Sequence, residues 1–170
     1  MRELLLGCGS RTKIKKIHKE GSAEYQNVTT VDINKDHSPD IVWDLNELPY
    51  PFEAESFDEI HCYDVLEHLG SQGDYKFFFA QFNEFWRILR PNGIICGTVP
   101  KADSVWAWGD PGHTRVITKE SFIFLDRRNY KQIGESPMTD YRFIYKGDFQ
   151  LIHEEYKSEI FYFGLLKKGE

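Results

Sequence analysis

The chain has 170 residues, a length that a prior of about 150 residues per domain reads as one domain. A domain of this size buries roughly 70% of its unfolded surface and needs no disulfide staple. With 41% hydrophobic and 28% charged residues the composition is that of an ordinary globular protein, not a disordered or fibrous one. A formal charge of −6, from 21 Lys+Arg against 27 Asp+Glu, argues against a surface built to grip nucleic acid or anionic lipid. Cys8, Cys62 and Cys96 form no CxxC pair, which reads as buried, reduced thiols of a cytoplasmic protein. The opening run MRELLLGCGSR is too short for a signal peptide, and no stretch approaches the ~18 apolar residues of a membrane span. The expectation is one soluble domain over residues 1–170.

Glu3–Leu6 predicts a short apolar strand that breaks at Gly7-Cys8-Gly9. Thr12–Glu20 carries Ile14 and Ile17 one turn apart among lysines and predicts a helix, with Gly21 as its stop. Val28–Ile33 is rich in β-branched residues and predicts a second strand, and Asp40–Leu45 a third. Pro49 and Pro51 exclude a long helix over Asn46–Ser56. Phe57–Tyr63 predicts the fourth strand. Phe78, Phe82, Phe85 and Leu89 recur at helical spacing between Asp74 and Arg90, and Pro91-Asn92-Gly93 predicts a stop and a turn. Ile94–Val99 predicts the fifth strand, and Thr118–Arg127 a helix capped by Thr118 or Ser121. Phe149–Tyr156 and Glu159–Lys167 predict an antiparallel pair. Strand and helix in alternation, closed by a hairpin, describe a doubly wound α/β sheet. Ligands of such sheets bind at the carboxyl ends of the strands. That directs attention to Gly7–Arg11, Asp32, Asp44 and Tyr63–His68.

Glycines at the end of strand one let the backbone turn sharply and approach a ligand closely. The dinucleotide fingerprint would continue with Gly or Ala where this chain has Thr12, which weakens a nicotinamide reading. Asp32 ends strand two about twenty residues after the glycines, the spacing at which a carboxylate reaches ribose hydroxyls. Ile33 beside it offers a face for a base. Asp44 ends strand three, where its carboxylate can accept from an adenine amino group while Leu45 lines the ring. The alternative for each acid is a turn or cap, a common use of Asp.

In this order, LLLGCGSR … VTTVDI … IVWDLNELPYPFEAESFDEIHCYDVLEHL … ILRPNGIICGTVP resembles the class I (Rossmann-like) S-adenosylmethionine-dependent methyltransferases of the type 11 kind. WGDPGHTRVITKESF is similar to the segment after the fifth strand in a small subgroup of them. The resemblance implies a mostly parallel seven-stranded sheet of order 3-2-1-4-5-7-6, its last strand antiparallel. It implies S-adenosyl-L-methionine as cofactor and S-adenosyl-L-homocysteine as product. Gly7, Cys8 and Gly9 would accommodate the methionine part, Asp32 the ribose and Asp44 the adenine, and Tyr63 would flank the sulfonium. The family often has an acid where this chain has Leu5, and a third glycine where it has Arg11, whose guanidinium suits the cofactor carboxylate. The chain opens directly on strand one, a minimal form lacking the N-terminal lid helices of many relatives. An open site, a large substrate, or a partner that completes the lid, whether a second copy in a homodimer or a partner subunit, would each fit this.

Methyl transfer from a sulfonium needs a base only where the acceptor must lose a proton. On a helix, Asp64, Glu67 and His68 of DVLEHL would share one face, with Asp64 and His68 as catalytic candidates. That face could hold a divalent cation, but one helix rarely completes a coordination sphere, so no metal is assigned. His113, a further catalytic candidate, follows Trp106 and Trp108, which either stack on an acceptor or close the core. Arg11, Lys13, Lys15, Lys16 and Lys19 read as a solvated helix face. The expected activity is methyl transfer to a small-molecule or glycan-like acceptor. The rivals are a non-catalytic cofactor-binding subunit and, more distantly, an NAD-dependent oxidoreductase.

Overall fold

The computed structural model describes residues 1–10, 14–18 and 23–169. Seven strands form one sheet: β1 (Glu3–Leu6), β2 (Val28–Asp32), β3 (Ile41–Val42), β4 (Phe57–Tyr63), β5 (Leu89–Pro100), β6 (Phe149–Lys157) and β7 (Ile160–Lys167). Their order is β3-β2-β1-β4-β5-β7-β6. Neighbours pair parallel from β3 to β5, and β7 lies antiparallel between β5 and β6. The doubly wound α/β fold is the one the sequence pattern predicts, and the strand order is the one the family resemblance implies.

Strand residues alternate between two faces, and the pairing register sorts them. Leu4 stands beside Ile60 and Ile60 beside Ile95, which faces Leu165, while Gly97 pairs with Phe163 and Val99 with Phe161. This face is the hydrophobic core. Helix α1 (Tyr75–Ile88) covers it with Phe79, Phe82, Phe85 and Ile88, all buried, after Asp74 caps its start by accepting from the Phe77 N–H at 3.0 Å. Each of these side chains contributes about 1.5–3 kcal/mol. Helix α2 (Trp106–Gly109) lies in the segment after β5, and helix α3 (Lys119–Ile123) adds buried Phe122, 4.8 Å ring to ring from Phe163.

The opposite face carries Glu3, Leu5, Glu59, His61, Tyr63, Cys96 and Thr98. Among the described residues no α-helix falls between β1 and β4. The helix expected over Thr12–Glu20 is therefore not formed where it can be read. Ile14 makes an isolated antiparallel bridge with Glu24, and residues 15–18 are non-helical. Arg11, Thr12 and Lys13, and residues 19–22, lie outside the described residues. Lys15 is buried instead of solvated: its ammonium pairs with Glu3 and stands 3.3 Å from Glu59. His61 completes the group, with Nε2 3.1 Å from Glu59 and Nδ1 2.8 Å from the Tyr63 hydroxyl. That hydroxyl also accepts from the Ile17 N–H at 3.1 Å. The pull of two carboxylates in the sheet on Lys15 overrides local helix propensity.

Two boundaries also differ. Pro91-Asn92-Gly93 does not end in a free turn but runs inside β5 as an irregularity, with Asn92 at φ 63°. Strand three is reduced to Ile41–Val42.

Candidate active site

At the carboxyl end of β1 the chain turns through Gly7 and Gly9, at φ 59° and 53°. A Cβ on Gly7 would stand 2.5 Å from a Val65 methyl, so no larger residue fits; beside Gly9 the space is open to 4 Å. Cys8 is buried, and burial first, then the nearby Asp32 charge, raises its thiol pKa. The Gly9 N–H donates to Asp32 Oδ2 and the Asn34 N–H to Oδ1, both at 2.8 Å. Burial pushes the Asp32 carboxyl up, but these donors and His37, 3.3 Å away, outweigh it and hold the pKa below the ordinary value. Asp32 is thus ionised at neutral pH, with acceptor capacity left on both oxygens.

Asp44 Oδ1 takes the Asn46 backbone and side-chain amides at 2.8 and 3.0 Å, an Asx turn. Ile33 is exposed and Leu45 buried. Gly7, Gly9, Asp32, Ile33, Asp44, Leu45, Asp64 and His68 line one groove of about 450 Å³. A second cleft of about 900 Å³, lined by Gly7, Cys8, Gly9, Lys16, Tyr63 and Asp64 among others, adjoins it across the glycine turn. These dimensions suit an organic ligand of several hundred daltons. Of the sequence-selected cofactor residues, only Arg11 falls outside the described residues.

The helical face expected of Asp64, Glu67 and His68 is not formed. Asp64 has φ 56°, and only Leu66–His68 make a 3-10 turn. Asp64 turns instead to Lys16 and accepts from the Thr98 hydroxyl at 2.8 Å. Glu67 is 2% exposed, and neither of its carboxylate oxygens has a hydrogen-bond partner. Burial pushes its pKa up to about 8.

The segment after β5 docks on this turn. Buried Arg115 lies over the rings of Phe77 and Phe78 and donates to Leu66 O at 2.8 Å and Gln81 Oε1 at 2.6 Å. Thr114 N donates to Glu67 O at 2.9 Å. His113 is thereby carried to His68, with ring centroids 4.6 Å apart. Trp106 and Trp108 are 61% and 72% exposed, so the core-closing alternative does not hold. The Glu3–Lys15–Glu59–His61 group and Arg115 went unread in the sequence, because each is joined to its partners across long separations.

The profile of a family described as a methyltransferase domain matches residues 4–97. The chain belongs to this methyltransferase domain family. It is an S-adenosylmethionine-dependent methyltransferase by class. No curated protein matches the sequence. A methyltransferase structure from Archaeoglobus fulgidus is similar over 98% of this chain and 86% of its own, at 14% identity and a TM-score of 0.58. The N-methyltransferase NodS of Bradyrhizobium japonicum, bound to S-adenosyl-L-homocysteine, is similar over 98% and 77%, at 11% and 0.56. A chain from the Haloferax volcanii complex of the Trm112 methyltransferase activator is similar over 99% and 83%, at 11% and 0.60. These likenesses establish the fold.

Proposed function

We propose that this protein transfers a methyl group to a small-molecule or glycan-like acceptor held over the groove at the carboxyl ends of β1, β2 and β4. The observation that carries the reading is the convergence of the Gly7–Gly9 turn, Asp32 and Asp44 on one groove, beside His68. The cofactor supplies a methyl activated on a sulfonium, whose sulfur leaves neutral. Gly7 and Gly9 give it backbone clearance, Asp32 accepts from the ribose hydroxyls and Asp44 from the adenine amino group. Ile33 and Leu45 border the base, Tyr63 and Asp64 border the second cleft, and Arg11 is assigned the cofactor carboxylate. Holding the acceptor at attack distance supplies most of the acceleration, and His68 or His113 takes a proton where the acceptor bears one.

The exposed Trp106 and Trp108 support a planar or sugar-faced acceptor. The Trm112 activator in a similar structure supports a partner subunit as the means of closing the site. Cys8, Cys62 and Cys96, all buried and joined by no disulfide, fit a single domain working in the cytoplasm. Thermal unfolding tests the cofactor: S-adenosyl-L-homocysteine at about 100 times its Kd should stabilise the protein by about 2.7 kcal/mol. Stabilisation by NAD and not by S-adenosyl-L-homocysteine would sink the reading.

A further inference from the structure

A buried carboxyl group whose oxygens have no hydrogen-bond partner is costly in either protonation state, and a ligand that engages those oxygens relieves the cost. Glu67 is such a group, and what faces it is two imidazoles. One carboxylate oxygen of Glu67 and one ring nitrogen each of His68 and His113 lie within 4.8 Å of one another. Ligand bonds of about 2.1 Å put donors on opposite sides of a cation about 4.2 Å apart. A small side-chain adjustment therefore closes the three into a coordination sphere.

The hydrogen bonds around the rings set which nitrogen can ligate. His68 Nδ1 stands 3.0 Å from Gly112 O, and His113 Nδ1 2.8 Å from Trp106 O. A carbonyl only accepts, so each Nδ1 carries the ring proton and each Nε2 keeps its lone pair. Outer hydrogen bonds of this kind fix tautomer and orientation in metal-bound histidines. Asp110 Oδ2 lies 3.8 Å from His113 Nε2, beyond hydrogen-bond reach, at the rim of the same cluster.

A second cluster with the same donor types, Glu3, Glu59 and His61, also converges within 4.8 Å. There the Lys15 ammonium already pairs with both carboxylates. Among the described residues, no cation of the protein fills that role at Glu67.

We propose that Glu67, His68 and His113 form a binding site for a divalent first-row transition metal, with open positions toward the groove shared by His68, Asp64 and the glycine turn. Two imidazoles and one carboxylate suit Mn²⁺, Fe²⁺, Co²⁺ or Zn²⁺ better than Mg²⁺ or Ca²⁺, which prefer all-oxygen ligands. A cation there lowers the pKa of an acceptor hydroxyl that binds it, so the site selects an oxygen acceptor. With both imidazoles on the cation, neither serves as base. In the metal-bound form the hydroxyl proton therefore leaves to solvent instead of to His68 or His113, and the oxygen bonds to the methyl carbon. The carbon–sulfur bond breaks with its electron pair staying on sulfur. This use of the site rests on the methyltransferase reading above; the metal site itself does not.

Calorimetric titration of the metal-free protein with MnCl₂, and separately with MgCl₂, tests it, alongside a titration with S-adenosyl-L-homocysteine. One Mn²⁺ per chain is expected, with Mg²⁺ much weaker. Since changing a mere outer partner typically costs 10–100-fold, Glu67→Gln and His113→Gln should each lower Mn²⁺ affinity by about 100-fold or more. Circular dichroism melting checks that both variants fold. Co²⁺ should give a d–d absorption spectrum that His113→Gln alters. No Mn²⁺ binding to wild type, or full binding by folded Glu67→Gln and His113→Gln, overturns the site. So does loss of binding in Asp64→Asn with retention in His113→Gln. If Mn²⁺ binds and S-adenosyl-L-homocysteine does not, the site stands and the proposed function falls.

Discussion

Two clusters of the same ingredients, one on a face of β4 and one just past its end, have opposite characters. On the sheet face that carries Leu5 and Thr98, Glu3, Glu59 and His61 are threaded together by Lys15, and Glu3 also takes a backbone donor: Gln26 N reaches its Oε2 at 2.8 Å. At the end of β4, Glu67, His68 and His113 gather just as closely, yet the carboxylate has no donor at all. The titration of the two acids records the difference. His61 foremost, with Lys15 helping against burial, holds Glu59 down at about 2, whereas burial pushes Glu67 up to about 8. A satisfied buried charge holds the fold together. An unsatisfied carboxyl, beside a histidine that lines a groove, is available to a ligand.

The largest effect should come from removing the cation of the satisfied cluster. Lys15→Met leaves Glu3, fully buried, without its counter-charge. Breaking one side of a buried ion pair typically costs about 3–5 kcal/mol, read as a drop in the unfolding free energy in urea. A loss under about 1 kcal/mol would mean that Lys15 is not seated between the two acids.

Asp32 stands between the extremes, since backbone donors hold it in place while lone pairs remain for a ligand. Asp32→Ala should weaken S-adenosyl-L-homocysteine binding by about 1.5–3 kcal/mol, the range for hydrogen bonds to charged groups. Unchanged affinity in the folded variant would show that Asp32 serves only its turn.

The sheet was readable because its strands are apolar or β-branched runs bounded by turn residues, and Phe57–Tyr63 ends where the sequence pattern ends. Helix α1 was readable because its phenylalanines recur at helical spacing. What escaped is what depends on distant partners. Lys15 looks like a surface lysine until the sheet brings Glu3 and Glu59 to it. Asp64 and Glu67 look like one helical face, but the left-handed backbone of Asp64 divides them. His113 reaches His68 only because Arg115 anchors the later segment on Leu66 and Gln81. Periodicity reports local structure, and none of these contacts is local.

A smaller effect comes from pH. Glu59 has its folded pKa depressed from an ordinary 4.5 to about 2. The stability it contributes is therefore present above pH 4.5 and is lost as pH falls through the folded value. Urea midpoints should decline between those limits, and the decline should shrink in Lys15→Met, which removes part of what depresses the pKa. An equally steep decline in the variant would assign it to other carboxylates.

The smallest effect on stability should be at the unsatisfied cluster. Because Glu67 has no donor to lose, Glu67→Gln keeps the shape and removes the cost of burying a carboxyl that burial holds protonated through neutral pH. In metal-free buffer its unfolding free energy should equal the wild-type value or exceed it by about 1 kcal/mol, as when an unpartnered buried group gives way to a neutral one of similar volume. Lys15→Met and Glu67→Gln thus alter groups of comparable burial, and only the first should weaken the fold. Were Glu67→Gln to cost as much as Lys15→Met, Glu67 would have a structural partner after all, and the contrast between the two clusters would collapse. If it costs nothing, the carboxyl is held in place by the backbone of Leu66–His68 and the clasp of Arg115, and its oxygens are spare for a ligand that His68 and His113 share.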